Sequence, residues 1–159
     1  MEFTIDKMNA SESPLLKKFL YEAIFIPQGG SAPAREIINE PQLQVYIKDF
    51  GSGEHDHALL ARVDGRAAGA VWVRIMNDYG HVDEQTPSMA ISLFREYRGA
   101  GIGTALLQQM LKLLKRKHYE QVSLSVQKEN YALKMYQKAG FVIIDQNEEE
   151  YIMVKYLQD

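Results

Sequence analysis

A chain of 159 residues, 46% hydrophobic and 25% charged, is long enough for one globular domain over residues 1–159 with a real core. A formal net charge of -3 argues against nucleic acid or an anionic membrane as a partner, and no apolar run approaches the ~20 residues that span a bilayer. Cysteine is absent, which excludes disulfides, thiolate metal sites and a cysteine nucleophile.

The opening MEFTIDKMNA has neither a basic region nor an apolar stretch, so no secretory leader is expected there and the cytoplasm is the expected compartment. Phe3 and Ile5 alternate with Thr4 and Asp6, which predicts a first strand over 3–8. Ser13-Pro14 supplies an N-cap and a proline at a helix start, and the helix is expected over Leu15 to Ile26, ahead of Pro27. A second helical region, broken at Pro41, is expected from Ala34 to Asp49. Asp64-Gly65 between His57–Val63 and Ala67–Met76 is a type I′ hairpin signal. Ser88 to Phe94 reads as a strand, and Ile102 to His118 as a long helix with apolar residues at Ile102, Leu106, Met110 and Leu113. A strand over 121–127, a short helix from Tyr131 to Ala139 stopped at Gly140, and a closing hairpin over 141–144 and 151–156 complete the chain. This order predicts an α/β fold of the α+β type, a mixed, mainly antiparallel sheet covered by helices.

Gly99, Gly101 and Gly103 lie between a strand and a long helix. Glycine there permits positive φ and close approach of a ligand, and the helix start offers unpaired N–H groups to an anion. Thr104 adds a hydroxyl, and Arg98 can pair with phosphate or with the fold's own carbonyls. No Gly-Lys-Ser/Thr follows, so the turn is no P-loop. Thr104 stands where a dinucleotide fingerprint wants glycine.

The run Arg98-x-x-Gly101-x-Gly103, preceded by Arg95-Glu96-Tyr97, together with Asn130-x-Ala132-x-x-x-Tyr136-x-x-x-Gly140-Phe141, resembles the GNAT superfamily of N-acetyltransferases. The resemblance is clear from about Ala58 onward and weak over the first fifty residues; Arg95 stands where a proline is common. It implies about seven strands and about four helices, with two central strands splayed apart for coenzyme A. It also implies acetyl-CoA as co-substrate; no metal is expected, because His55-x-His57 offers only two loosely placed ligands. The cofactor would be held by Leu93, Phe94, Arg95, Arg98, Gly99, Ala100, Gly101, Ile102, Gly103, Thr104, Asn130 and Tyr136. The N–H groups near Leu93 and Phe94 would bind the pantetheine arm and polarise the thioester carbonyl. Tyr136, which by position alone reads as a core tyrosine, would protonate the departing thiolate, its ordinary pKa near ~10 lying above that of a thiol near ~8.5. Asn130 is either an N-cap or a pantetheine contact.

Strand 88–94 offers no carboxylate or histidine as a base. His81, Asp83 and Glu84 stand just upstream, and a water chain on Ser92 and Ser125 is an alternative. For the acceptor, Tyr21, Glu22 and Phe25 on the first helix and Trp72 and Arg74 on a strand are candidates, with a lone aromatic beside a solvated charge an equal explanation. The expected reaction moves the acetyl group to a primary amine of a small molecule or amino acid by direct attack. A protein or peptide amine, or a CoA-binding module without catalysis, are the alternatives. A homodimer is compatible with this reading.

Overall fold

The computed structural model describes residues 1–158. Among them, seven strands form one sheet in the order β1-β2-β3-β4-β5-β7-β6. The strands are β1 (Thr4–Lys7), β2 (His57–Val63), β3 (Arg66–Arg74), β4 (Ser88–Leu93), β5 (Gln121–Gln127), β6 (Val142–Gln146) and β7 (Glu150–Tyr156). The helices are α1 (Leu15–Ala23), α2 (Pro41–Gln44), α3 (Ile102–Arg116) and α4 (Ala132–Lys138). Neighbouring strands pair antiparallel except β4 and β5, which run parallel. This is the mixed, mainly antiparallel sheet that the sequence predicts.

Local chemistry sets the boundaries. Asp64 and Gly65 both take positive φ, 51° and 76°, as a type I′ turn requires. α1 ends at Ala23, three residues early, because Ile24 is already extended (φ -67°, ψ 122°). The expected helix from 34 to 49 is a 3₁₀ turn (Arg35–Asn39), the single turn of α2, and further turns. The break falls at Glu40, whose ψ of 139° follows from the clash that proline imposes on the residue before it. α3 stops at Arg116 rather than His118, since His118 takes a left-handed φ of 66°.

β2 and β3 are apolar on both faces, so the sheet is covered twice. Leu59, Ala61, Val71 and Val73 pack with Ile102, Leu106 and Met110 of α3 and with Val122, Leu124 and Val126 of β5. Ala58, Leu60, Ala70 and Trp72 pack on the other face against Leu16, Phe19 and Leu20 of α1 and Ile47. β4 and β5 meet at one register position, Ser88 opposite Ser123, with the Ser123 N–H donating to the Pro87 carbonyl at 3.0 Å. Beyond that point β4 stays with β3 and β5 with β7, and a gap opens between them.

Candidate active site

The gap in the sheet opens toward the glycine turn. Gly99 and Gly101 have φ of 81° and 85°, a region where other residues are strained. A Cβ on either would meet nothing within 4 Å, so both answer to backbone conformation and leave open space above the turn. Gly103 answers to packing, because a Cβ there would lie 3.3 Å from Leu93 Cδ1. Ala105 N–H donates to the Gly101 carbonyl at 3.1 Å and opens the ladder of α3. The N–H groups of Ile102, Gly103 and Thr104 therefore have no intrahelical acceptor. Ile102 is fully buried and pins the helix start, while Ala100 and Thr104 are exposed. Such a cradle suits the pyrophosphate of a nucleotide cofactor.

Arg95 is exposed in a 3₁₀ turn over Arg95–Tyr97. Arg98 turns back on the fold: Nε donates to the Leu93 carbonyl at 3.2 Å, and Nη2 to the Glu22 carbonyl at 3.3 Å and Glu22 Oε2 at 3.4 Å. Glu22 thus sits beside the glycine turn instead of facing an acceptor.

The edge of β4 needs one correction. Phe94 N–H is already bonded to the Ala68 carbonyl at 3.0 Å and points toward β3. Backbone groups alternate sides along a strand, so the amides facing the gap are those of Ile91 and Leu93. No motif singles out the Ile91 amide, nor Gly69 opposite Leu93, where a Cβ would come within 2.8 Å of Leu93 Cγ.

Tyr136 is buried with α4 on the α3 face, its ring edge-on to Phe141 at 5.8 Å. Burial pushes its phenol above the ordinary value, so it keeps its proton at neutral pH. Asn130 Oδ1 accepts the Ala132 N–H at 2.9 Å and caps α4, the role its sequence position allows.

The residues expected at the acceptor are not brought together. Trp72 is fully buried and its indole N–H donates to the Tyr46 carbonyl at 3.1 Å, so it is core. Arg74 spends its guanidinium on the fold. Nε and Nη2 grip Asp56 at 3.2 and 3.1 Å, and Nη1 donates to the carbonyls of Val45 (3.2 Å) and Lys48 (2.9 Å). Both residues stand on β3 and tie it to carbonyls of the 45–48 segment. The Tyr21 hydroxyl donates to the Pro33 carbonyl, with Arg35 stacked over the ring; Phe25 is half-buried nearby in sequence.

Two carboxyls that no sequence motif singles out stand near the gap, Asp78 at its closed end and Glu150 on β7 opposite Gln127. Asp78 accepts from Tyr46 Oη at 2.9 Å and from Ser88 Oγ at 3.0 Å. Glu150 accepts from Gln127 Nε2 at 3.0 Å. Burial raises both carboxyls above their ordinary range, opposed at Asp78 by the Tyr46 and Ser88 hydroxyls and at Glu150 by the Ser125 hydroxyl. Only the fold joins these segments, so no motif announces them. The upstream candidates do less: Asp83 closes a turn on Gln85 N–H at 2.8 Å, and His81 Nε2 lies 3.6 Å from Glu84. Ser92 Oγ donates to the Phe19 carbonyl at 2.6 Å. His55 and His57 converge on the Tyr119 hydroxyl at 2.6 and 3.1 Å.

Known proteins share this fold. A curated N-alpha-acetyltransferase of Sulfurisphaera tokodaii is 35% identical over 91 residues, 52% of this chain and 54% of that protein, so the match spans about half of its length. The PaiA N-acetyltransferase of Thermoplasma acidophilum, solved with coenzyme A, superposes with a TM-score of 0.71 at 20% identity, covering 98% of this chain and 99% of that one. The ribosomal-protein-S18-alanine N-acetyltransferase of Escherichia coli gives a TM-score of 0.70 at 16% identity, covering 99% of this chain and 96% of that one. No helix among the described residues is long and apolar enough to cross a membrane. Residues 23–141, three-quarters of the sequence and the whole of the glycine turn and the gap, match the Acetyltransferase (GNAT) family, and the chain belongs to it.

Proposed function

We propose that this chain is an N-acetyltransferase moving the acetyl group of acetyl-CoA to a primary amine of a small molecule or amino acid. The observation that carries the reading is the gap between β4 and β5 running from Ser88 and Ser123 to the open amides at the start of α3. Acetyl-CoA supplies an activated acyl group. The amides of Ile102, Gly103 and Thr104 and the open surface over Gly99, Ala100 and Gly101 hold its pyrophosphate. Arg95 lies exposed at the same mouth, and Arg98 reaches phosphate by releasing Glu22. The amides of Ile91 and Leu93 hold the arm, and a preorganised donor in this position stabilises the charge that develops on the acyl oxygen. Tyr136 gives a proton to the leaving sulfur.

Attack is direct in this reading. Cysteine is absent, and among the described residues no serine hydroxyl is bonded to a histidine, so no activated nucleophile is in place for an acyl-enzyme. A second reading, in which the acceptor is a peptide α-amine, has one observation in its favour: the Sulfurisphaera relative is an N-alpha-acetyltransferase. CoA release from acetyl-CoA, followed with free amino acids, polyamines and alanyl peptides, tests both. Release with none of these amines, and no thermal stabilisation by acetyl-CoA, overturns the enzyme reading; a preference for peptides selects the second acceptor.

A further inference from the structure

Acetyl transfer to an amine requires a group to remove the amine's proton, and β4 carries none. The register of β5 and β7 places one on the strand next to β5, one strand away from the gap. Opposed residues of antiparallel strands share a face, and Gln127 stands opposite Glu150 as Ser125 stands opposite Ile152. Ser123, Ser125, Gln127 and Glu150 therefore lie on the α1 face of the sheet. Val122, Leu124 and Val126 point the other way, into the cluster that contains Tyr136.

We propose that Glu150 is the base of the reaction, receiving the proton of the acceptor amine at the Ser125 side of the gap, with Asp78 and Tyr46 as positioning residues above it. This rests on the acetyl-transfer reading. Gln127 Nε2 donates to one carboxylate oxygen of the half-buried Glu150 at 3.0 Å. Tyr46 Oη donates to Asp78 at 2.9 Å, and the Ser125 hydroxyl lies near enough to Glu150 and Tyr46 to favour the charged form of each. The polar groups thus run from Glu150, opposite Gln127, past Ser125 to Tyr46 and to Asp78 at the closed end of the gap. An ammonium entering from the α1 face meets this negative end, while the sulfur leaves toward Tyr136 on the opposite face. Base and acid stand on the two sides of the reacting carbon, which is the arrangement a direct displacement needs.

Charge and atoms balance. The amine nitrogen bonds the acyl carbon and the carbon–sulfur bond breaks. The ammonium loses two protons in all. Glu150 passes both to solvent, while Tyr136 protonates the sulfur and recovers its proton from solvent, so one proton is released per turnover. Other charged and titratable groups facing Glu150 are Asp78, Tyr46, Tyr79 from the β3–β4 connection and Glu149 from its own turn. Burial is the main influence raising the Glu150 carboxyl, joined by Glu149 and Asp78.

The test uses the full chain with acetyl-CoA and whichever of spermidine, lysine or an alanyl tripeptide releases CoA fastest. Glu150→Gln should lower kcat about 100-fold and abolish the acid limb of its pH profile, while the melting rise given by acetyl-CoA stays. Glu150→Asp should recover part of the rate. Ser125→Ala should move the acid limb to higher pH, because it removes a nearby hydroxyl that favours the carboxylate; Asp78→Asn should move it to lower pH, because it removes a neighbouring negative charge. Full kcat and an unchanged limb in Glu150→Gln overturn the proposal while leaving the enzyme reading intact. Failure of the wild type to release CoA with any amine sinks the earlier reading instead, and this one with it. Should the Gln variant not fold, ¹³C carboxyl titration of Glu150 in the wild type decides: a midpoint above the ordinary ~4.3 is expected, and one at or below it overturns the proposal.

Discussion

Ser88 and Ser123 mark the point where β4 and β5 part, with their hydroxyls 3.5 Å apart and both side chains fully buried. The Ser123 hydroxyl donates to the Gly80 carbonyl at 2.7 Å and Ser88 to Asp78, so the β3–β4 connection is fastened across the fork. Ser123→Ala leaves the Gly80 carbonyl buried and unpaired, which costs about 1–3 kcal/mol. The midpoint of urea unfolding should fall accordingly with an unchanged slope. An unchanged midpoint would mean that the hydroxyl fastens nothing.

The glycine turn predicts its own measurement. A ligand at ~100 times its dissociation constant stabilises by about 2.7 kcal/mol, a melting rise of roughly 5–10 °C for a domain this size. Acetyl-CoA should give that rise. Gly101→Val forces a β-branched residue to φ 85° and puts methyl groups into the open space over the turn, so most of the rise should vanish. The comparison is with the variant's own melting temperature, because strain lowers that too. An undiminished rise would move the phosphate site elsewhere.

Arg74 belongs to the fold, with side chains of Arg74 and Asp56 only 11% and 4% exposed. Removing one partner of a buried pair leaves an uncompensated charge, so Arg74→Ala should lower stability by about 3–5 kcal/mol. Arg74→Lys should restore little, since a lysine cannot grip Asp56 with two nitrogens. Differential scanning calorimetry measures both. A stable Ala variant with weakened acceptor binding would return Arg74 to the substrate site.

The fold was legible where hydrophobic period and turn chemistry agree. Asp64-Gly65 announces its hairpin, and the spacing of Ile102, Leu106 and Met110 announces α3. The 34–50 segment was not legible, because Pro41 and a short apolar pattern do not distinguish one helix from a chain of turns. At the site, the glycines could be read because backbone conformation imposes them locally. Trp72 and Arg74 misled because residue type says nothing of what fills the space beside it: the Tyr46 carbonyl and Asp56 come from other segments. Glu150 and Asp78 were invisible for the same reason, being 72 residues apart in sequence and joined only by strand order.

His57 supplies a pH dependence. Burial lowers its pKa, with Lys117 and His55 adding repulsion. The unfolded chain therefore takes up the proton first as pH falls through about 6.5, and stability is lost from there down to the folded-state value. Above that window His57 is neutral in both states and contributes no slope. Urea midpoints across pH 5–8 should decline on the acid side, and His57→Gln should flatten the decline. An equal decline in the variant would assign it to other groups.

Tyr136 is buried in the cluster on the α3 face of the sheet, the face opposite Glu150. Tyr136→Phe removes the hydroxyl alone. The ring keeps its edge-on contact with Phe141 at 5.8 Å, so melting temperature and the stabilisation by acetyl-CoA should scarcely change. General acid catalysis typically contributes about 10² to 10⁴ in rate, and a thiol is already a fair leaving group, so a loss near 10² in kcat is expected. Burial holds the phenol above its ordinary pKa, which keeps the acid protonated through neutral pH and places any alkaline limb from this group above ~10. The loss should therefore be uniform across neutral pH, and it should shrink with an acyl thioester whose thiol is more acidic and leaves without help. Full turnover by Tyr136→Phe with a chemistry-limited acceptor would leave the residue as core, with solvent or another donor protonating the sulfur.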